Sequence, residues 1–510
     1  MLGTQWTPSL VHSRAGTEDQ LPDLHLSVDR AKGGVAAQIA RGLRDAIRSG
    51  RLRPGERLPA TRELARDLGL SRGVVVEAYE QLVAEGFLVS RVGAGTRVAP
   101  LAVAGDQGAD GDPGNGDGAA RDGADGVRPR RTGPGGRSFA AADRWRSYYG
   151  YRPTSPDLSM FPRQRWLAAV RHVLATVPHD GLDYGDPGGV PQLRAELAAY
   201  LRRVRAAAAT PENVVVVSGV AQALTLVVRH LARLRGGRVR LAVEDPTTPR
   251  PLPLLRSAGA ELIPVPVDDE GMDAAALRRS GAEAALLTPA HNYPTGVVLS
   301  PRRRAEIAAW AAETGAIVLE DDYDAEFRFD RDPVGCLQGL APGHVVLAGS
   351  VSKSLAPGLR LGWLVAPGPI AQAIRQAREE EDLGSPVIDQ FALAHFIATG
   401  GYDRHLRRMR REYRARRDAM VRALAEHLPQ VRVPGVAAGL HLYAELPPGW
   451  DEERVVAAAA AAGLTADPVA PARTAPGPPA VVIGFARLPV HRIEAAVREL
   501  AAAVRPYGTP

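Results

Sequence analysis

The sequence has little of what cross-linked, metal-bound or membrane proteins depend on. Its 510 residues include one cysteine, Cys336, which excludes an intrachain disulfide and any cysteine-rich zinc site. Aromatic residues make up only 5% of the chain. The alanine-rich run 455–464 is shorter than the roughly 18 apolar residues of a membrane span, and the first 30 residues lack the pattern of a secretory signal. We therefore expect a soluble, cytoplasmic protein with no membrane partner.

Lysine is almost absent, and the positive charge is concentrated in one segment. Only Lys32 and Lys353 are lysines among 63 basic residues, so each of them is a candidate for a specific role. The formal net charge of the chain is +6, and residues 30–100 hold 13 basic against 7 acidic side chains, the same excess as the whole chain. A basic module on a neutral body predicts a polyanionic partner for that module.

A glycine- and aspartate-rich stretch divides the chain. Residues 101–137 contain 11 glycines, 6 aspartates and no aromatic residue, which predicts a flexible linker over 101–140. A small domain is expected before it, at 30–100. After it, over 150–510, short apolar runs alternate with alanine- and leucine-rich helical patterns. This alternation predicts a doubly wound α/β fold with a mainly parallel sheet.

Residues 30–100 show the pattern of a winged helix-turn-helix. Ile39, Leu43 and Ile47 recur at helical spacing over 35–49, and Gly50 ends that helix. A short second helix at 61–68 and a third that runs from Ser71 to Glu85 follow, with Gly69 between them. Residues 87–98 form a predicted hairpin, the wing.

The motifs of this segment resemble the GntR family of bacterial transcription regulators. They are the run GRLRPGERLP at 50–59, TRELA at 61–65, and Ser71-Arg72. The resemblance implies that double-stranded DNA is the partner and that one set of side chains faces it: Thr61, Arg62, Ser71, Arg72, Arg91 and Thr96. Arg72 is suited to a guanine edge, and Arg62 and the wing near Arg91 and Thr96 to phosphate or minor groove. The alternative is that these arginines only solvate a surface.

The environment of Lys353 suits a covalent cofactor. It follows the apolar run 344–348 and precedes Arg360, with Ser350 and Ser352 beside it. A lysine amine attacks an aldehyde to form a Schiff base, and the hydroxyls and the guanidinium can hold a phosphate. Upstream, the strand 317–319 runs into acidic residues at its carboxyl end, where α/β sheets bind ligands. A carboxylate there can keep a pyridine nitrogen protonated; the alternative is that the acidic cluster holds Mg²⁺.

Residues 150–505 resemble the fold-type I pyridoxal-phosphate enzymes of the aspartate aminotransferase superfamily, with a smaller C-terminal subdomain. The motifs that carry the resemblance are YGDPGG at 184–189, Ser218-Gly219, EDP at 244–246, PTG at 294–296 and the Lys353 segment. Together with the GntR head, the chain resembles a MocR-type regulator. The resemblance implies pyridoxal 5′-phosphate as cofactor and these roles: Lys353 forms the Schiff base, Asp321 pairs with the ring nitrogen, Tyr323 bonds the phenolic oxygen, and Arg360 binds phosphate.

The resemblance extends to a few further positions and departs at two. Arg250 and Arg473 are candidates for binding an effector, Arg473 as a partner for a carboxylate. Asn292 is placed either at the cofactor oxygen or in a turn, and His291 is taken as structural. The family often has Ser-Gln after Ser218-Gly219, where Val220-Ala221 stand here, so the phosphate is expected to rely on Gly219, Val220 and the backbone amides of the following helix. Thr248 occupies the position of a ring-stacking aromatic residue.

Two functions follow from these motifs. The first is a DNA-binding regulator, expected to be a homodimer, whose large domain senses an amine, an amino acid or a B6 vitamer through exchange at Lys353. The second is a working aminotransferase with an appended DNA-binding head. A third hypothesis is a DNA-binding protein whose large domain binds no cofactor. No metal is expected.

Overall fold

The computed structural model describes residue 26 and residues 28–30, 34–91, 95–99, 152–329 and 335–505. These residues fall into two compact units, a small N-terminal one and a large one that contains most of the remainder. The predicted linker, 101–140, lies outside the described residues. Among the helices of the described ranges, none has the length and hydrophobicity needed to cross a bilayer.

The N-terminal unit contains three helices and a two-stranded hairpin, as predicted. Its elements are α1 (Val35–Arg48), α2 (Thr61–Asp67), α3 (Arg72–Ala84), β1 (Leu88–Arg91) and β2 (Gly95–Val98). Ile39, Leu43 and Ile47 are fully buried, because their spacing places them on one face of α1. Gly69, with φ +63°, forms the tight turn between α2 and α3. The three helices and the hairpin together form a winged helix-turn-helix.

The large unit contains an eight-stranded sheet. Its strands are β3 (Val214–Val217), β4 (Val239–Asp245), β5 (Ala260–Asp268), β6 (Gly271–Met272), β7 (Ala284–Leu287), β8 (Ile317–Asp322), β9 (Val345–Ser350) and β10 (Gly362–Val365). Their order is β3-β10-β9-β8-β7-β4-β5-β6. Only β10 and β6 run antiparallel to their neighbours. The mainly parallel sheet predicted from the sequence is confirmed.

Helices cover both faces of this sheet. They are α4 (Arg163–Thr176), α5 (Pro191–Arg205), α6 (Val220–Leu234), α7 (Leu252–Ser257), α8 (Ala274–Arg279), α9 (Pro301–Thr314), α10 (Leu337–Leu340), α11 (Gly368–Asp382), α12 (Val387–Ala398) and α13 (Gly401–His427). In β3, Val215 and Val217 pack on the side of α6, whereas Val214 and Val216 pack on the side of α5. Both faces are therefore apolar, which explains the uninterrupted run of valines.

A smaller C-terminal subdomain completes the large unit. It contains β11 (His441–Glu445), α14 (Glu452–Ala461), β12 (Thr465–Pro468), β13 (Ala480–Gly484) and α15 (Val490–Val504). The strands form an antiparallel sheet of order β11-β13-β12. Along the arginine-rich helix α13, Leu406, Met409, Tyr413 and Met420 are buried.

Candidate functional site

The candidate site lies where the parallel strands of the large sheet end. The carboxyl ends of β3, β7, β8 and β9 share one edge, and β10 begins there, since Gly362 pairs with both Val217 and Ser350. The loop that follows β12 reaches the same edge, where Thr474 donates from its backbone N–H to Asp245 at 2.9 Å. A cavity of about 370 Å³ lies between these elements.

Lys353 lines this cavity just beyond the end of β9. Its Nζ donates to the backbone oxygen of Thr154 at 2.9 Å and to the Thr154 hydroxyl at 3.2 Å. Burial lowers the pKa of the Lys353 amine below its ordinary value, although Asp324 and Asp321 oppose the shift. A lowered pKa increases the fraction of neutral amine, the form that attacks an aldehyde.

Asp321, near the end of β8, lines the same cavity. Burial, together with the neighbouring carboxylates of Asp322 and Asp324, raises the pKa of Asp321 to about 7. Its Oδ1 atom is buried and meets no hydrogen-bond partner among the described residues. Burying such an atom without a partner costs about 1–3 kcal/mol, so the position fits a ligand that brings an N–H group.

The other carboxylates of this run are held by the protein. Asp322 forms a buried ion pair with Arg205, and Glu320 accepts from the backbone N–H groups of Leu337 and Gln338, each at 2.9 Å. Their oxygens point to separate partners, which argues against a Mg²⁺ site shared by these acidic residues. The pattern of acidic residues does not separate Asp321 from its neighbours; the family resemblance alone singled it out.

Tyr323 also lines the cavity, and a histidine contacts its hydroxyl. His291 Nδ1 lies 3.1 Å from Tyr323 Oη and 3.0 Å from Asp324 Oδ2. The interpretation of His291 as a purely structural residue overlooked this contact. The reason is that His291 and Tyr323 belong to loops that follow different strands, β7 and β8.

A second group of predicted residues meets at the beginning of α6. The Arg360 guanidinium donates to the Ser218 carbonyl. A Cβ added at Gly219 would lie 2.9 Å from Arg360 Nη2, and one added at Gly362 would lie 2.7 Å from the Gly219 Cα. These glycines leave room where side chains would collide. Gly219 immediately precedes Val220, the first residue of α6, whose N-terminal amides suit an anion.

The predicted serines lie close to this group. Ser350 ends β9 directly beside Gly362, and its hydroxyl accepts from the Ser352 N–H at 3.4 Å. Ser350 is buried and Ser352 is partly buried. The structure therefore gathers Ser350, Ser352, Arg360, Gly219 and Val220 around the strand ends of β3, β9 and β10.

The two predicted effector-binding arginines have different surroundings. Arg250 lines the cavity beside Thr248. Arg473 is absent from the described lining of that cavity; its guanidinium donates to the Pro478 carbonyl at 2.8 Å and lies 4.0 Å from Glu452. In contrast, Arg152, which the sequence analysis did not single out, lines the cavity together with Asp467.

Asn292 is buried next to the cavity, and its side chain is engaged by its own loop. Its Oδ1 accepts from the Thr295 hydroxyl at 2.7 Å, and its Nδ2 lies 3.4 Å from the Thr288 hydroxyl. These contacts correspond to the turn-forming alternative. Thr288 in turn donates to Glu244, whose pKa burial raises to about 7.

In the N-terminal unit, four predicted DNA-facing residues cluster at the ends of α2 and α3. Arg62 and Arg72 are exposed in the first turns of these helices, and Ser71 immediately precedes α3. Arg72 Nε lies 3.5 Å from the Thr61 hydroxyl, which joins the two helix starts. An exposed arginine at the start of the recognition helix, with a second one at the start of the preceding helix, suits binding to DNA.

The wing carries the other two predicted residues. Thr96 in β2 pairs with Ser90, and their hydroxyls lie 3.4 Å apart. Arg91 is the last residue of β1, opposite Gly95. The Arg91 side chain and the tip at 92–94 lie outside the described residues.

Two protein families match the chain, one in each unit. Residues 156–501 match the family described as aminotransferase class I and II. Residues 35–98 match the family described as bacterial regulatory proteins, gntR family. The fold and the lysine-bearing cavity thus define an aminotransferase-like domain attached to a DNA-binding module of the GntR type.

Individual relatives share this combination. The chain is 32% identical to the HTH-type pyridoxine biosynthesis transcriptional regulator PdxR of Corynebacterium glutamicum, over 80% of this chain and 82% of that protein. It is 32% identical to the probable rhizopine catabolism regulatory protein MocR of Rhizobium meliloti, over 85% of this chain and 86% of that protein. The chain therefore belongs to the MocR-type subfamily of GntR transcription regulators.

Solved structures agree for the large unit. The α-aminoadipate aminotransferase LysN of Thermus thermophilus, complexed with N-(5′-phosphopyridoxyl)-L-leucine, aligns with a TM-score of 0.62 and 27% identity. The alignment covers 70% of this chain and 92% of LysN.

Proposed function

We propose that this protein is a DNA-binding transcription regulator whose large domain binds pyridoxal 5′-phosphate and senses an amine-bearing small molecule. The subfamily supports the regulator over an active aminotransferase with an appended DNA-binding head, because the relatives that span most of the chain are named as regulators. The observation that carries the cofactor is the buried Asp321 Oδ1, which has no partner in the described structure and lines the same cavity as Lys353.

The residues of the cavity fit this cofactor. Pyridoxal 5′-phosphate supplies an aldehyde that combines reversibly with primary amines and a ring nitrogen that gains a proton. Lys353 offers an amine of lowered pKa. Asp321 accepts a hydrogen bond from the ring N–H, and its carboxylate charge stabilises the protonated ring.

Phosphate binding is assigned to the cluster at the start of α6. Arg360 provides a positive charge, and Gly219 and Val220 present backbone amides at the helix N-terminus. Ser350 and Ser352 contribute hydroxyl groups from the end of β9 and the turn after it. Backbone donors replace the side chains that Val220-Ala221 do not supply.

The effector is proposed to carry an amine and a carboxylate. Its amine competes with Lys353, and Arg250 at the cavity rim is placed to attract the carboxylate. Thr248 beside it does not supply the ring-stacking aromatic side chain that the family resemblance places at this position. An effector that binds two conformations of the large domain with different affinity shifts their populations. That shift changes the affinity of the DNA-binding unit for its operator.

We also propose that the protein is a homodimer. Large apolar side chains are exposed on the surface formed by α4 and the loop after it: Leu174 is 59% exposed, Leu182 50% and Tyr184 82%. Exposed apolar side chains grouped in this way are typical of an interaction surface. A second copy of this chain would pair two DNA-binding units for two half-sites of an operator.

The two lysines of the chain allow a matched test of the cofactor site. Purified full-length protein is mixed with pyridoxal 5′-phosphate, and visible absorbance and borohydride-trapped peptides are recorded for wild type, Lys353→Ala and Lys32→Ala. We expect a visible band and a trapped peptide at position 353 in wild type and Lys32→Ala, and neither in Lys353→Ala. A band that survives Lys353→Ala would refute the site.

Regulation is tested separately from binding. Operator DNA binding is measured with and without candidate amino acids, and amino transfer to a keto acid is followed over many turnovers. We expect the DNA response to require Lys353. Rapid multiple turnover without any effect on DNA binding would favour the aminotransferase instead.

A further inference from the structure

Tyr323, His291 and Asp324 form a hydrogen-bonded group in the wall of the cavity. The Nδ1 atom of His291 lies within hydrogen-bond distance of both Tyr323 Oη, at 3.1 Å, and Asp324 Oδ2, at 3.0 Å. The Asp324 carboxylate accepts hydrogen bonds, so Nδ1 carries the proton and donates it toward both oxygens. The Tyr323 oxygen is then an acceptor on its His291 side.

The backbone holds the imidazole in this position. A Cβ added at Gly439 would lie 2.3 Å from His291 Cε1 and 2.7 Å from Asp324 Oδ2. One added at Gly296 would lie 3.3 Å from His291 Nε2. Both glycines have positive φ, +71° and +73°, so the main chain closes on the ring from two sides.

A second histidine covers the imidazole without adding charge. The ring of His441 lies 5.0 Å from that of His291 and 5.3 Å from that of Tyr293. Burial and the neighbouring His291 lower the pKa of His441 well below its ordinary value. The other titratable or charged side chains that line the cavity are those of Arg152, Arg250, Tyr293, Asp321, Lys353 and Asp467.

We propose that His291 and Asp324 are positioning residues that direct the hydroxyl proton of Tyr323 into the cavity, toward an oxygen atom of the bound cofactor. This inference rests on the proposed function, because it requires the cofactor to occupy the cavity. Tyr323 has one hydroxyl proton. With its oxygen accepting from Nδ1, that proton has two remaining acceptors: the ligand and the Asp324 carboxylate, whose hydrogen bond with Tyr323 helps to raise the pKa of the tyrosine. In the cofactor-loaded protein the proton goes to the ligand, because Asp324 already accepts from Nδ1.

Such a donor has a measurable effect on the bound cofactor. A hydrogen bond to an oxygen favours the form in which that oxygen carries more negative charge. The visible spectrum of the bound cofactor changes with pH, and the midpoint of that change is therefore lower when Tyr323 is held as a donor than when it is not. Loss of His291 raises the midpoint by about one pH unit, because Tyr323 is no longer held as a donor.

The test is a double-mutant cycle on the cofactor-loaded, full-length protein. The spectral pH midpoint and the dissociation constant of the cofactor are measured for wild type, His291→Gln, Tyr323→Phe and the double variant. His427→Gln, at the end of α13, is the matched control. We expect His291→Gln to raise the midpoint, the double variant to match Tyr323→Phe alone, and the control to match wild type.

The outcomes separate this inference from the proposed function. If wild type shows no visible band with added cofactor, the proposed function fails. If wild type shows the band but His291→Gln leaves its midpoint unchanged, or if its effect adds fully to that of Tyr323→Phe, positioning through Tyr323 is refuted. Asp324→Asn provides a second variant, with a smaller midpoint shift expected because the imidazole is retained.

A metal ion is the competing occupant of this cluster. The ligand atoms of His291, Asp324 and His441 lie within 4.8 Å of one another, and two imidazoles with a carboxylate are a common metal-binding set. Elemental analysis of the purified protein, with added Zn²⁺ as the probe, distinguishes a bound metal ion from the hydrogen-bonded group. Stoichiometric metal that His441→Ala removes would overturn the positioning assignment; absence of metal with the shifted midpoint supports it.

Discussion

The Arg205 guanidinium binds both carboxylate oxygens of Asp322, at 2.7 and 2.8 Å, and Asp322 is the residue next to Asp321. Adjacent residues of a strand point to opposite faces. Asp322 is therefore directed to α5 and compensated there, whereas Asp321 is directed to the cavity. Two neighbouring carboxylates of identical chemistry thus have separate surroundings, one paired with an arginine and one lining the cavity.

Arg205→Ala is expected to destabilise the large domain by about 3–5 kcal/mol, since it leaves the Asp322 charge buried without its partner. Chemical denaturation of the full chain measures the loss. Arg278→Ala, which breaks the exposed pair with Glu313, is the control and should change little. Replacing both members, with Arg205→Leu and Asp322→Leu, should cost less than Arg205→Ala alone; a greater cost would contradict this account.

Asp321→Asn is expected to have opposite effects with and without cofactor. The pKa of Asp321 in the folded protein, about 7, lies above its ordinary value of 3.8. Ionising the buried acid therefore costs stability increasingly as the pH rises from about 4 to about 7, and by at most about 4 kcal/mol above that. Without cofactor, Asp321→Asn should be more stable than wild type at pH 8 and equally stable at pH 4.

With cofactor, the same variant loses the partner of the ring nitrogen. We expect its dissociation constant for pyridoxal 5′-phosphate to rise about 10- to 100-fold. Thermal denaturation at the two pH values and a cofactor titration measure the two effects. A variant that binds the cofactor as tightly as wild type would place the ring nitrogen elsewhere.

Gly362→Ala is expected to weaken phosphate binding. Its Cβ would lie 2.7 Å from the Gly219 Cα and 2.9 Å from the Gly349 carbonyl oxygen, so the backbone at the start of α6 must shift. Gly358→Ala is the matched control, because a Cβ there meets nothing within 4 Å among the described atoms. Affinity for the cofactor should fall at least tenfold in the first variant and stay unchanged in the second.

Arg62→Ala and Arg72→Ala are expected to weaken operator binding in different ways. If Arg62 contacts a phosphate, Arg62→Ala should lower the affinity equally for all DNA sequences. The slope of log affinity against log salt concentration should then become shallower by about one. A base contact by Arg72 predicts a loss of about 1–3 kcal/mol on the operator and little on random DNA. Titrations at several salt concentrations separate these outcomes, and equal losses on all sequences for both variants would assign Arg72 to the backbone.

The sequence was informative where local pattern decides structure. Helical spacing predicted α1, and the scarcity of lysine drew attention to Lys353. Only the family resemblance singled out Asp321 within the run 320–324. The pattern of residues could not, because the orientation of Asp322 depends on Arg205, more than 100 residues away. For the same reason, Thr154 and Arg152 were missed, since only the folded chain brings them to the end of β9.

The conformations of the loops around the cavity could not be predicted from the sequence either. Gly439 and Gly296 enclose His291, yet all three belong to segments that no periodic pattern describes. Arg473 follows β12 in a loop rich in proline, and its side chain pairs with Glu452 on α14 instead of lining the cavity. The conformation of such loops is decided by tertiary contacts, which a single sequence does not display.

The contact between Lys353 and Thr154 has a consequence for how the large domain begins. Thr154 is the third described residue after the undescribed stretch that ends at residue 151, and both of its oxygens accept from the Lys353 amine. A free ammonium group has three protons to donate. A lysine nitrogen joined to an aldehyde carbon would keep at most one proton, so at least one of these two bonds would be lost on cofactor binding. Cofactor binding would therefore weaken the contact that holds Thr154, and a ligand that frees the lysine would restore it.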